Sequence, residues 1–134
     1  MAWQTPKTNW KSTDYFNYQD YERIRNNILY LKELVDQVYA TITLDTMTAK
    51  SGYSDFVYAD EFNAFENNLD KIKKWITTVG IGSKQTFYDN GATPNYSELN
   101  RIESACLKMH ETLSGQISGR PMLSFILNGG TIQI

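Results

Sequence analysis

Three stretches of this chain share one rhythm, and that repetition limits the fold more than any other feature. In the first stretch the apolar residues are Tyr21, Ile24, Ile28, Leu31, Val35, Val38 and Ile42, spaced alternately by three and four. Such spacing lines them along one side of a helix. Phe62, Phe65, Leu69, Ile72, Ile76 and Val79 keep the same rhythm, as do Leu99, Ile102, Cys106, Met109, Leu113 and, after a skipped turn at Gln116, Ile117. The octets YERIRNNI, FNAFENNL and LNRIESAC align without gaps, at offsets of 41 and then 37 residues. One helix per unit predicts a mainly α protein, a three-helix bundle built from three related helical repeats; a solenoid normally uses two or more elements per repeat. The same stripes could instead pair each helix with its copy in a second subunit.

Local signals set the expected limits of each helix. Asn17 with Asp20 forms a capping box, so the first helix is expected from Asn17 to about Ala40. Asp60 and Glu61 favour a helix start near Ala59, because the dipole stabilises acidic groups in a first turn; the second helix is expected at Ala59–Val79, ended by Gly80 and Gly82. Asn95 and Glu98 make a second capping box for a helix expected to end near Gly115. The connections at 43–57 and 80–94 are long, and long structureless loops are uncommon in compact domains. Tyr53, Phe56 and Tyr58 are expected to pin the first to the helices, and the second carries Phe87 and Tyr88.

Residues 1–16 show no period and read as an extended aromatic N-terminal arm. Tyr15 and Phe16 are expected to fold back on the bundle, and Trp3 to reach a partner. Residues 17–118 make the three-repeat helical domain. Beyond it GQISGRP reads as a linker, and MLSFILNGGTIQI as a short C-terminal β-like tail turning at Asn128-Gly129-Gly130. A lone hairpin is marginal in water. The tail, 119–134, is therefore expected either to fold onto the bundle or to add a strand to another subunit, the latter favoured.

Composition narrows the function. The chain has 134 residues, 41% hydrophobic, with a net charge of −2 and no basic block. One domain's worth of chain results, and nucleic acid is not an expected partner. No apolar run reaches membrane-spanning length, and the N-terminus lacks a signal peptide's pattern. The single cysteine, Cys106, falls on an apolar stripe and reads as a small buried residue. His110 reads as a rim histidine, with no cluster of ligand side chains around it to hold a metal. Glu66, Glu103 and Asp70 read as solvated or salt-bridged helix residues. No nucleotide-loop or nucleophile-elbow motif occurs, so no cofactor and no enzymatic activity are expected. The asparagine pairs Asn26-Asn27 and Asn67-Asn68 recur at one place in two octets, although Asn is a poor helix former. Either they hydrogen-bond the segments leading into each helix, or they are solvated on its outer face.

The phrase WKSTDYFNYQDYERIRNNILYL resembles a segment of tail, baseplate and fibre proteins of bacteriophages from Gram-positive bacteria. Trp10, Tyr21, Arg23, Ile24, Asn27, Ile28 and Leu31 carry the likeness in the first copy. Phe62, Asn63, Glu66, Asn68 and Leu69 carry it in the second, and Leu99, Asn100, Arg101, Ile102 and Glu103 in the third. The resemblance implies a structural virion component, assembled in the bacterial host cytoplasm, that contacts other tail or baseplate proteins and copies of itself. The larger fibre and receptor-binding domains of such proteins are missing from this chain, which favours a connector at the baseplate or fibre attachment. The contact residues expected on this reading are Trp3, Trp10, Trp75, Phe125, Ile126, Leu127, Ile132 and Ile134. Two alternatives are an adhesin that stacks host glycans on exposed Tyr and Trp, and a cellular helical interaction module.

Overall fold

The computed structural model describes residues 2–52, 57, 59–76, 84–87 and 95–127, with side chains as far as 117. It is mainly helical, with α1 at Tyr18–Val38, α2 at Ala59–Lys73 and α3 at Tyr96–Leu127. The Asn17 side chain accepts from the backbone N–H groups of Gln19 and Asp20, and the Asp20 carboxylate accepts from Asn17 N–H. Asn95 and Glu98 make the same reciprocal pair at the start of α3. Both boxes satisfy amide donors that a helix start would otherwise leave open.

Two helix ends differ from expectation. α2 stops at Lys73, because Trp75 N–H bonds to Ile72 C=O and Ile76 N–H to Lys73 C=O, a tighter i to i−3 pattern. That turn brings Ile76 onto the core, where it is buried. α3 runs past Gly115 to Leu127, through the expected linker and the expected first strand of the tail. The helix thus carries Gly115, Gly119 and Pro121 within it, although a glycine weakens a helix interior by about 1 kcal/mol and a proline by about 3. Phe125, Ile126 and Leu127 therefore lie on α3. The Asn128-Gly129-Gly130 turn, Ile132 and Ile134 lie outside the described residues, as do Tyr53, Phe56, Tyr58, Val79, Gly80, Gly82 and Tyr88.

The three helices run parallel. Along α1, Arg23 meets Glu103, Tyr30 approaches His110, and Tyr39 bonds Gln116, so advancing on α1 is advancing on α3. Tyr21 lies against Phe65 and Tyr39 against Trp75, giving α2 the same direction. Parallel helices in one chain require each connection to travel back along the bundle. The return is roughly 31 Å for the 21 residues of α1 and 22 Å for the 15 of α2. The long connections follow from this geometry.

The stripes meet at the centre. Ile24, Ile28, Leu31 and Val35 of α1 pack with Phe65, Leu69 and Ile72 of α2 and with Ile102, Cys106, Met109 and Leu113 of α3, all fully or almost fully buried. Burial pushes the Cys106 thiol far above its ordinary pKa, so it stays protonated in the core. Phe16 and Phe87 also pack against this core. No described helix is long and apolar enough to cross a membrane.

Candidate functional site

Non-helical segments are held by amide clamps, each joining one Asn side chain to the backbone N–H and C=O of a single residue. Asn27 accepts from Gln4 N–H at 2.9 Å and donates to Gln4 C=O at 2.8 Å. Asn68 does the same to Asp45 at 2.7 and 3.0 Å. Asn63 clamps Phe87 at 2.7 Å in both directions, and Asn100 clamps Trp10 at 2.7 and 3.1 Å. A side-chain amide offers the same donor and acceptor as a β-strand neighbour, so extended backbone outside any sheet finds partners for its polar groups. The two clamping positions are the second and the seventh of the octets. At the second position of the first octet stands Glu22, whose carboxylate accepts Lys50 N–H at 3.2 Å. Of the two readings of the helix asparagines, hydrogen bonding to the leading segments is the one observed for Asn26, Asn27 and Asn68.

Two buried carboxylates complete these seams. Glu103 is 1% exposed and accepts a two-pronged guanidinium from Arg23, at 2.7 and 2.8 Å. It also accepts Trp10 Nε1–H and Lys7 N–H. Glu66, 2% exposed, accepts from Arg101 and from Gln85 N–H. Of the two readings, solvated or salt-bridged, the second is the one observed for Glu66 and Glu103, and both are buried: each ties a non-helical segment and a second helix to its own. Their recurrence at the fifth octet position, with Arg23 and Arg101 at the third, was the available signal. Charged residues on helices usually face water, which concealed it.

The three tryptophans among the expected contact residues differ in their surroundings. Trp10 is 4% exposed, with its ring in the core and a Lys7 ammonium 4.1 Å from its centre. Trp3 stacks on His110 of α3, ring centres 3.9 Å and planes 9° apart, with Tyr30 also beside it. Trp75 is 40% exposed and stacks on Tyr39, itself 42% exposed, whose hydroxyl donates to Gln116 at 2.9 Å. This pair lies where α1 and α2 end and α3 continues.

Partial burial in its aromatic stack holds the His110 pKa below the ordinary imidazole value of 6.5, against a smaller opposing pull from Glu111. The folded state thus binds the proton less readily than the unfolded chain. Stability from this packing is complete above the unfolded value and declines as pH falls from there towards the folded one. His110→Phe keeps the stack and removes the titration. Urea unfolding between about pH 5 and 8 should show a flatter acid limb for the variant than for the parent. Identical limbs would remove His110 from the pH dependence.

Among the described residues, no group of three His, Cys, Asp or Glu side chains converges to hold a metal ion. Comparison of the chain with protein-family models, with curated proteins and with solved structures finds no match.

Proposed function

We propose that the chain is a non-enzymatic structural connector of a phage tail or phage-like particle, sited at the baseplate or fibre attachment. The observation that carries this reading is the end of the bundle formed by Tyr39, Trp75 and Gln116. Parallel helices bring their C-terminal ends to one side, and there two large rings stand stacked and exposed while α3 continues beyond. Tyr and Trp are enriched where protein surfaces meet, because they cover large area at small entropic cost. A platform set on three packed helices is rigid, as a connector requires.

The finer reading of the fold belongs with this proposal. The three helices are copies of one unit, each with an extended lead, and together they form an approximate three-fold arrangement. What supports it is the recurrence of clamps and buried carboxylates at matching octet positions. Such an arrangement suits attachment to a partner with three-fold symmetry. The resemblance of the octets supplies the phage context, and the partners are other tail or baseplate proteins and further copies of this chain.

Quantitative mass spectrometry of purified particles tests the proposal. The chain should appear at a fixed ratio to the tail proteins. Trp75→Ala combined with deletion of 119–134 should reduce that ratio at least about ten-fold, on the scale of losing interface anchors. The helical circular dichroism of residues 2–118 should persist, because the core residues are retained. Incorporation that survives both changes, or absence of the parent chain from particles, overturns the reading.

A further inference from the structure

Away from the Tyr39–Trp75 end, the turn at 11–16 and the start of α3 enclose a cleft of about 460 Å³. Its floor is apolar, made by Trp10, Phe16 and Leu99. Its wall carries two tyrosines that do little for the core, Tyr15 at 91% and Tyr96 at 46% exposure. The polar groups around it are Ser12, Asp14 and Asn95. We propose that this cleft binds a neutral saccharide of one or two pyranose rings, stacked on Tyr15 and Tyr96.

Size, chemistry and rigidity support the assignment. The volume falls within the range of small-molecule sites. A pyranose presents an apolar C–H face with hydroxyls around its edge, and so matches aromatic walls bordered by polar groups. Asp14 spends Oδ2 on Lys11 N–H and the Lys7 ammonium, while its Oδ1 makes no hydrogen bond to a described residue. Asn95 spends Oδ1 on Glu98 N–H, and its Nδ2 likewise has no described partner. One acceptor and one donor are thus available for sugar hydroxyls, along with the Ser12 hydroxyl. The Asp14 carboxylate is already paired with the Lys7 ammonium at 3.3 Å, so a cationic ligand meets no unpaired carboxylate among the described lining residues.

Trp10 and the turn are also held in place before any ligand arrives. Trp10 is fixed by the Asn100 clamp and by Glu103. The turn is closed by Asp14 N–H to Lys11 C=O at 3.0 Å and by Lys11 N–H to the Asp14 carboxylate. A rigid site saves the ordering cost that otherwise weakens binding. A proline-rich peptide, the other ligand that aromatic walls accept, needs a longer groove with successive slots.

Titration of the full chain with glucose, galactose, N-acetylglucosamine and their short oligomers tests the proposal, read through backbone amide shifts. Saturable binding of at least one sugar is expected, with shifts at residues 11–16 and 95–99. Tyr15→Ala and Tyr96→Ala should each weaken it about ten-fold. Tyr39→Ala, at the opposite end, should leave it unchanged. No saturable response to any of these sugars overturns the proposal, as does a response that Tyr15→Ala leaves intact or binding of a polyproline peptide in their place. Tyr15→Ala should leave particle incorporation unaltered, which separates failure of this site from failure of the connector reading.

Discussion

Replacing Glu103 by alanine is expected to lower the unfolding free energy by about 3–5 kcal/mol, the usual result of removing one partner from a buried ion pair. The cost comes from what the carboxylate leaves behind. Arg23, whose side chain is 16% exposed, keeps Asp20 as its one counter-charge among the described residues. Trp10 Nε1–H and Lys7 N–H lose their acceptor inside the fold. For a chain of this length the loss corresponds to roughly 10 °C or more in the melting temperature. Glu103→Gln keeps the shape and one acceptor, so it should fall between the two. Changing Arg23 and Glu103 together to leucine should recover part of the loss, since a buried pair is often replaceable by apolar side chains. Full recovery is not expected, because Trp10 and Lys7 would still lack an acceptor. Urea denaturation of the four proteins measures each term, and a loss below about 1 kcal/mol for Glu103→Ala would contradict the role assigned to this carboxylate.

The second large effect is expected at Asn68, which is fully buried. Asn68→Ala removes both bonds to Asp45 and should cost about 2–3 kcal/mol, two net hydrogen bonds plus the penalty for polar groups left unpaired. Asn68→Asp should cost more. The carboxylate still accepts from Asp45 N–H, but it faces Asp45 C=O and adds charge beside the Asp45 carboxylate, which Lys71 and Asn67 already hold. The damage should begin locally. Tyr21 donates to Thr48 C=O and Arg25 to Met47 C=O, so the segment beyond Asp45 keeps its own attachments. Hydrogen exchange should therefore show early loss of protection at the Asp45 amide, with the amides of α1 and α3 following only the global stability. Uniform loss across the chain would mean that the clamp acts on the whole fold at once.

The clamps and the buried carboxylates were legible to different degrees. Asn27 and Asn68 stood out because a poor helix former recurred at one place, and hydrogen bonding to the lead segments was one of the two readings this permitted. Asn63 and Asn100 also recur, at the second octet position, yet single asparagines near a helix start carry little signal. Glu66 and Glu103 resembled ordinary surface acids. Their burial depends on extended backbone lying over them, and no helix periodicity encodes that. The exposed Tyr15 and Tyr96 and the buried Trp10 are likewise alike in sequence, each an aromatic beside polar residues.

What the sequence by itself determined is the set of helices, their inward faces and two of their caps. Those follow from contacts within three or four residues, where spacing translates directly into geometry. The tertiary structure alone decided that the helices run parallel and that the segments between them return along the bundle. It also decided which aromatics face water, and that α3 passes the point where glycine and proline suggested a linker. Those outcomes rest on contacts between residues far apart in the chain, such as Lys7 with Glu103 and Tyr39 with Gln116. Their free energy depends on how whole elements pack, which no local pattern contains.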